Sequence, residues 1–430
     1  MRTMKDSGIE WIGEIPQEWN TTRIKYCTEI DREKLSEKTD PEYTFQYIDI
    51  SGVTEYGGIG QTTEMTFEKS PSRARMVVKP GDTIISTVRT YLKAVAYIDS
   101  LGDHICSTGF CVLSPKKDLF PKFAYYVLQS DYVVQKIVSE SVGVSYPAIS
   151  STEIGDIKIA LPEYVVQARI ADYLDTKCAE IDALIAAKEK TNALLKERRQ
   201  SIIYEAVTKG LDPTVPMKDS GVKWIGGIPE GWEIAALKRL GTPAIGSTPS
   251  KDNADYWDGD IPWVSSKDMK SDYLLDSEDH ITQTAVDECG LTLFAPGTLI
   301  FCVRSGILRH TFPVTVATLP VTINQDLRAL SLIGDVNPAF LLYYMRGMND
   351  TIVTLYQKIG ATVESIEMNW FLYFPVVLPS REEQDRIVEA LDSRCASLDQ
   401  TVKQNEATIR QLKEYRQSLI YEAVTGKIEV

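Results

Sequence analysis

The chain has 430 residues, 43% hydrophobic and 25% charged, a globular composition with length for two to four domains, which excludes an intrinsically disordered protein. No apolar run is long enough for a membrane span, and the stretch from Met1 to Pro16 carries Asp6, Glu10 and Glu14, so a cytoplasmic protein without a secretory signal is expected. The formal net charge of −14 argues against a protein that coats nucleic acid nonspecifically, because counterion release by Lys and Arg drives that binding.

The first element in the chain, residues 4–19, reads MKDSGIEWIGEIPQEW and returns at 217–232 as MKDSGVKWIGGIPEGW. Trp11, Gly13, Pro16 and Trp19 thus recur as Trp224, Gly226, Pro229 and Trp232, the mark of an internal duplication. A first variable region follows, roughly 20–160, with short β-type runs such as TIISTV (83–88) between Gly, Pro, Asn and Asp, and a helix near 121–139. Next comes a block, 161–210, that aligns without a gap on 378–427. Both copies open with Leu-Pro, Gln167-x-Arg169-Ile170 answers Gln384-x-Arg386-Ile387, and LKERRQSIIYEAVT faces LKEYRQSLIYEAVT. The second variable region, 233–377, shares little identity with the first but keeps its skeleton. Lys79-Pro-Gly-Asp82 with Val88-Arg89 answers Ala295-Pro-Gly-Thr298 with Val303-Arg304, and Pro121-x-Phe123 answers Pro338-x-Phe340, where a helix over 338–357 is expected.

Within the repeated blocks, residues recur at alternating spacings of three and four, which predicts long helices with a coiled-coil seam. The first seam runs Leu174, Cys178, Ile181, Ile185, Lys188, Asn192, Leu195, Arg199, Ile202; the second runs Leu391, Cys395, Leu398, Val402, Asn405, Ile409, Leu412, Arg416, Leu419. A globular domain separates the two helices, so an antiparallel pairing is expected, relating the halves by a pseudo-twofold axis. The predicted fold is α+β: two β-rich mixed globular domains separated by two long helices pairing as an antiparallel coiled coil. The expected division is 1–160 for the N-segment and first variable domain, 161–210 for the first helix, 211–377 for the linker, repeated N-segment and second variable domain, and 378–430 for the second helix.

Catalytic signatures are missing. There is no G-x-x-x-x-G-K-[ST] phosphate loop, and Gly57-Gly58-Ile59-Gly60 reads as a loop. Asn337-Pro338-Ala339-Phe340 reads as a turn opening a helix. The seven cysteines show no C-x-x-C spacing, and with only His104, His280 and His310 beside them neither a zinc site nor a disulfide framework is predicted. The carboxylates of 252–260 and 268–279 show no spacing suited to metal or acid–base work and read as solvated loops. The chain reads as a binder with no cofactor of its own.

Candidate nucleic-acid contacts fall in both variable regions. Residues 69–93 hold Lys69, Arg73, Arg75, Lys79, Arg89 and Lys93 against Asp82 alone, a local basic footprint suited to phosphates, with one Arg able to bridge guanine O6 and N7. An ordinary basic surface has the same composition. In the second region Ser247, Thr248 and Ser250 precede Trp257 and Trp263, then Ser265, Ser266 and Lys267. Their donors suit base edges, while the tryptophans also suit a core. Arg304, Arg309, His310 and Arg328 are a sparser basic set, and Asn324-Gln325 offers amides that pair bidentately with adenine.

Taken together, the doubled D-S-G-x-x-W-I-G-x-I-P-x-x-W segments, the doubled Q-x-R-I helix starts and the doubled S-[IL]-I-Y-E-A-V-T helix ends resemble the specificity (S) subunit of type I restriction-modification systems. In the second variable region, Gly246-Ser-Thr-Pro-Ser250, Tyr256-Trp-Asp-Gly-Asp-Ile-Pro-Trp263 and Asn324-Gln325 also look like that family's target-recognition pattern. The first region departs from it, with Thr44 to Gly52 replacing the glycine-proline opening and Ser107-Thr108 standing where Asn-Gln would. The resemblance implies that each variable domain is a target-recognition domain reading one half of a bipartite, asymmetric site in double-stranded DNA. It implies that the paired helices set the unread spacer. It further implies two methyltransferase (M) subunits carrying S-adenosylmethionine, and two restriction (R) subunits using ATP and magnesium, with no catalysis in this chain. A specificity subunit of a related system that cuts near its site, or a coiled-coil protein-interaction scaffold, are the alternative readings.

Overall fold

A computed structural model describes residues 2–54, 57–99, 102–143, 147–358 and 363–430. The chain forms two compact units that do not follow chain order. One holds Met1–Glu189 with Glu406–Val430, and the other holds Lys190–Asn405. The two long helices, Tyr164–Lys209 and Arg381–Val424, are therefore each divided between both units.

In the first unit a four-stranded antiparallel sheet runs in the order Thr28–Ile30, Phe110–Pro115, Thr83–Ser86, Val95–Tyr97. A second four-stranded sheet places His104–Ser107 between Thr44–Ile48, to which it is parallel, and Ala74–Val78, to which it is antiparallel. In the second unit the sheet Gly241–Ile245, Leu327–Leu332, Leu299–Cys302, Val314–Ala317 has the same order and gains a fifth strand, Tyr273–Leu274. Its smaller sheet again contains a parallel pair, Trp257–Val264 with Thr322–Ile323. The two variable regions are thus variants of one fold. Each is closed at its base by antiparallel pairing of its own ends, Asn20–Arg23 with Lys158–Leu161 and Glu233–Ala236 with Pro375–Leu378.

The helices expected near 121–139 and 338–357 are each broken in two. Pro121–Gln129 and Asp131–Glu140 are separated by Ser130, whose backbone is extended at φ −63, ψ 141 and whose hydroxyl donates to the Val127 carbonyl. Such local side-chain bonding competes with helix continuation. Pro338–Gly347 and Asn349–Tyr356 are separated by Met348.

The Q-x-R-I motif has a structural reason. Gln167 is fully buried; its side-chain carbonyl accepts the Phe120 N–H at 2.8 Å, and its amide nitrogen donates to Asp118 O at 3.0 Å and Pro162 O at 2.9 Å. Gln384 repeats this with Asn337 N–H at 2.8 Å, Asp335 O at 3.3 Å and Pro379 O at 3.0 Å. Each glutamine ties the start of a long helix to the loop before the domain's own helix. A second repeated bond reinforces it: the Tyr126 hydroxyl donates to Asp175 at 2.8 Å, and Tyr343 to Asp392 at 2.6 Å.

The helix ends carry the N-segments. In the first unit Ile12, Ile15 and Trp19 share a core with Leu419, Ile420, Ala423 and Val424. In the second, Ile225, Ile228 and Trp232 share a core with Ile203, Ala206 and Val207. Gly210 (φ 81) and Gly426 (φ 72) follow the helices in left-handed geometry, which ends a helix at little steric cost.

Along the seam, every predicted position is buried or half-buried. The amino-terminal half of the first helix belongs with the carboxy-terminal half of the second, and the reverse holds in the other unit, so the pairing is antiparallel. Its polar positions are matched. In the first unit Arg416, 3% exposed, reaches Asp182 at 2.9 Å and Gln129 at 3.2 Å. In the second, Asn405 donates to Asn192 at 2.8 Å, and Arg199 lies 3.2 Å from Asp399. Asn405→Leu alone should cost about 1–3 kcal/mol by leaving the Asn192 amide buried without that partner, and adding Asn192→Leu should recover most of it. Urea denaturation of the three variants measures both steps. The seven cysteines are free and six are buried; burial pushes the Cys111 thiol up to about 12, a state unsuited to nucleophilic work.

Candidate nucleic-acid interface

In both variable domains the central strand, Thr83–Ser86 or Leu299–Cys302, separates two ends of different character. At its start lie the Pro-Gly turns, and these face the helices: a Cβ on Gly81 would sit 3.8 Å from Pro121, and one on Gly297 would sit 3.7 Å from Pro338. At the other end, Thr87 N–H donates to Gly109 O at 2.8 Å and Thr108 N–H to Arg73 O at 2.8 Å. Arg73, Ser107-Thr108 and Arg89 therefore share one end of the first domain.

The basic stretch 69–93 is consequently not one patch. Lys79 sits at the helix-facing end, paired with Glu33 at 2.6 Å. Arg75 lies 4.5 Å over the Phe67 ring and 3.7 Å from Glu37, with its side chain only 16% exposed. At the far end Arg73 pairs with Asp49 at 2.9 Å, and Lys93 lies 3.6 Å from Asp131. Lys69 and Arg89 are exposed. The carboxylates that offset this charge come from outside 69–93, which a local charge count misses.

The similarity of Val88-Arg89 to Val303-Arg304 is one residue out of structural register. Ile149 N–H donates to Thr87 O and Ile366 N–H to Val303 O, while Val88 bridges Ala148 and Arg304 bridges Ser365. Arg89 thus corresponds to Ser305, and Arg304 to Val88. Backbone pairing decides equivalence here, and the matching dipeptides are coincidental.

The second domain gathers its candidates around one crossing of the chain. Gly246 passes so close to the strand Thr322–Ile323 that a Cβ would lie 2.0 Å from Ile323 O and 2.4 Å from Asn324 O. That approach lets Ser247 N–H donate to Ile323 O at 3.0 Å and brings the Thr248 hydroxyl onto Gln325 Oε1. The indoles of Trp263 and Trp257 donate to Ser247 O and Ser250 O, each at 3.0 Å, so Trp263, 6% exposed, supports the crossing from within. Asn324 is 7% exposed and its Oδ1 accepts Asp326 N–H at 3.1 Å, a turn-forming role. Gln325 is exposed. Arg328 donates to Gln325 O at 3.0 Å, and burial lowers its value from that of a free arginine. Arg304 lies 3.9 Å from Asp326, and Arg309 pairs with Glu364.

Ser265 to Lys267 form a separate group. Ser265 bonds Asp268 at 2.9 Å, Ser266 opens a short turn, and Lys267 pairs with Asp279 at 2.9 Å and Glu278 at 3.1 Å, whose carboxylates hold its ammonium above the usual lysine value. The carboxylates Asp49 and Asp326 were not among the expected residues, and nothing in their sequence neighbourhood marks them as partners of Arg73 and Arg304. Among the described residues, no group of three His, Cys, Asp or Glu could hold a metal ion, and no helix is long and apolar enough to cross a membrane.

The family model for the type I restriction modification DNA specificity domain matches residues 16–196 and 229–413. The EcoR124I/EcoR124II specificity subunit of Escherichia coli is 29% identical over 213 residues, 49% of each chain. The MjaIX specificity subunit of Methanocaldococcus jannaschii is 33% identical over 187 residues, 42% of each. These alignments span just under half the length of both relatives. The HindI specificity subunit of Haemophilus influenzae is 22% identical over 419 residues, 83% of this chain and 89% of that one. Among solved structures, a chain from work on complex assembly and conformational transition of the type I R-M system superposes with TM-score 0.78 at 23% identity, covering 96% of this chain and 99% of that one. The HsdS subunit from Thermoanaerobacter tengcongensis superposes with TM-score 0.53 at 23% identity, covering 96% and 98%.

Proposed function

The chain belongs to the family of type I restriction-modification specificity (S) subunits, and from that premise we propose that it is the non-catalytic DNA-recognition subunit of such a complex. Each variable domain reads one half of a bipartite site, and the paired helices set the number of unread base pairs between the halves. One observation carries this reading: two domains of one fold present different side chains at equivalent ends. The first offers Arg73, Ser107-Thr108 and Arg89; the second offers Ser247 to Ser250, Gln325 and Arg304. Duplicated scaffolds with divergent ends suit an asymmetric sequence, since phosphate contacts position a protein while base-edge contacts specify.

Partners follow from the same premise. Two M subunits supply S-adenosylmethionine and methyl transfer, and R subunits supply ATP-driven cutting. The M subunits dock on the parts both halves share, the N-segments and the long helices. Lys69, Ser250, Ser265, Ser266, Lys267 and Arg309 act as phosphate or sugar contacts at the margins. The net charge of −14 then implies weak DNA binding by the isolated chain and strong, salt-dependent binding by the complex.

Co-expression with a type I M subunit, followed by mapping of methylated adenines against each protein-alone control, tests the reading. One split motif requiring both chains is expected; co-purification of neither M subunit nor DNA would favour a scaffold. Within that assay Arg89→Ala should weaken recognition of one half only, and Arg304→Ala the other. Lys79→Ala, at the helix-facing end, should leave both halves intact.

A further inference from the structure

Asp272 stands in the acidic run 268–279, yet it is half-buried and lies between two arginines. Arg346, from the domain's own helix Pro338–Gly347, meets its carboxylate at 2.7 Å. Arg199, from the seam of the first long helix, lies 3.7 Å from it while also pairing with Asp399 at 3.2 Å. All four residues belong to the unit Lys190–Asn405. The backbone of Asp272 is held as well: its carbonyl accepts Val316 N–H at 3.0 Å and the Thr315 hydroxyl at 3.1 Å, and Arg346 donates to Val314 O at 3.2 Å. Gln200, next to Arg199, donates to Arg346 O at 2.8 Å and Gly347 O at 3.2 Å.

The first unit joins domain to helix without a carboxylate from its sheet. By the repeat, Arg416 corresponds to Arg199, Asp182 to Asp399 and Gln129 to Arg346. Arg416 pairs with Asp182 at 2.9 Å and donates directly to the Gln129 side-chain carbonyl at 3.2 Å. With an arginine in place of that amide, two guanidinium groups converge on one place and repel. Asp272 bridges them. It immediately precedes the strand Tyr273–Leu274, which the first domain's sheet does not have among the described residues.

Such a bridge serves geometry more than stability, because a half-buried ion pair loses in desolvation much of what it gains in attraction. The segment it fixes carries Ser265 to Lys267: Asp268 accepts Glu278 N–H at 2.9 Å and Lys267 pairs with Glu278 and Asp279, closing 265–279 on itself. We propose that Asp272 is a positioning residue for DNA recognition. Its carboxylate, bridging Arg199 and Arg346, fixes the second recognition domain on the long helix and so narrows the spacer lengths which that domain accepts. The proposal rests on the DNA-recognition reading above. One base pair of spacer turns one half-site by about 35° against the other, so a domain free to rock on its helix accepts neighbouring spacers that a fixed one rejects.

The test uses the full chain in complex with an M subunit, and duplexes carrying the mapped site with its own spacer or one base pair more or fewer. Asp272→Asn should reduce the discrimination against altered spacers by roughly tenfold, the scale of a hydrogen bond to a charged group, while mismatch penalties within each half-site stay as in the parent. Asp272→Asn combined with Arg346→Gln, which restores the first unit's neutral arrangement, should recover the discrimination. A residue that only holds the fold together would weaken binding to every duplex alike. Asp272→Glu keeps the charge but lengthens the bridge, and it should also loosen spacer choice, so a folding failure of Asp272→Asn leaves the proposal open to test. Unchanged discrimination in every single variant that co-purifies with M would overturn the proposal, as would an equal loss on all duplexes. If the unsubstituted complex yields no split motif, the recognition reading falls and the proposal with it; unchanged discrimination beside a clear motif defeats the bridge alone.

Discussion

Gly246→Ala is expected to abolish reading of one half-site while sparing the other. The added Cβ would meet two backbone carbonyl oxygens, Ile323 O at 2.0 Å and Asn324 O at 2.4 Å, and neither belongs to a side chain that could swing away. Relief requires the segment 247–250 to lift off the strand Thr322–Ile323. That breaks the Ser247 N–H bond to Ile323 O, separates Thr248 from Gln325, and removes the acceptors of the Trp257 and Trp263 indoles. Losing a buried indole's partner alone costs about 1–3 kcal/mol, and the steric term adds to it. Methylation mapping of the complex should show one half of the motif degenerate and the other sharp. A fully sharp motif would mean that the crossing does not shape the recognition surface.

The second large effect is expected from Gln384→Leu. The shorter, apolar side chain would strand the Asn337 N–H and the Asp335 and Pro379 carbonyls in a site where the glutamine is 3% exposed. With about 1–3 kcal/mol for each unsatisfied buried group, a loss of roughly 3 kcal/mol or more is anticipated, enough to unfold a marginal domain. The change should appear as a shifted urea midpoint for the unit Lys190–Asn405, with Gln167→Leu acting on the other unit. Gln384→Glu is the informative control. A carboxylate keeps the acceptor for Asn337 N–H but places charge against two carbonyls, so it should also destabilise. If both variants are neutral, the repeated glutamine has another role than bridging helix and loop.

Duplication, seam and helix lengths were readable along the chain because each depends on spacing. The doubled N-segments, the three-and-four periodicity through Leu391, Cys395, Asn405 and Arg416, and the scarcity of helix breakers all survive as local patterns. The general fold of the variable domains was readable only as texture, since short strands between turn residues do not state their partners. Three matters were settled by long-range pairing. The basic run 69–93 was split because a four-residue strand carries Lys79 and Arg89 to opposite ends, and because Glu33, Asp49 and Asp131 arrive from elsewhere. Val303-Arg304 was shifted by one residue against Val88-Arg89 because backbone hydrogen bonds, and not side-chain identity, define equivalent positions. Asn324 was turned inward because its N–H pairs with Val264 O at 2.9 Å, which buries the residue, and its Oδ1 then accepts Asp326 N–H within its own turn. Spacing along a chain records which face a residue takes within one element; which residue it meets across space depends on how the elements pair, and that pairing exists only in the folded molecule.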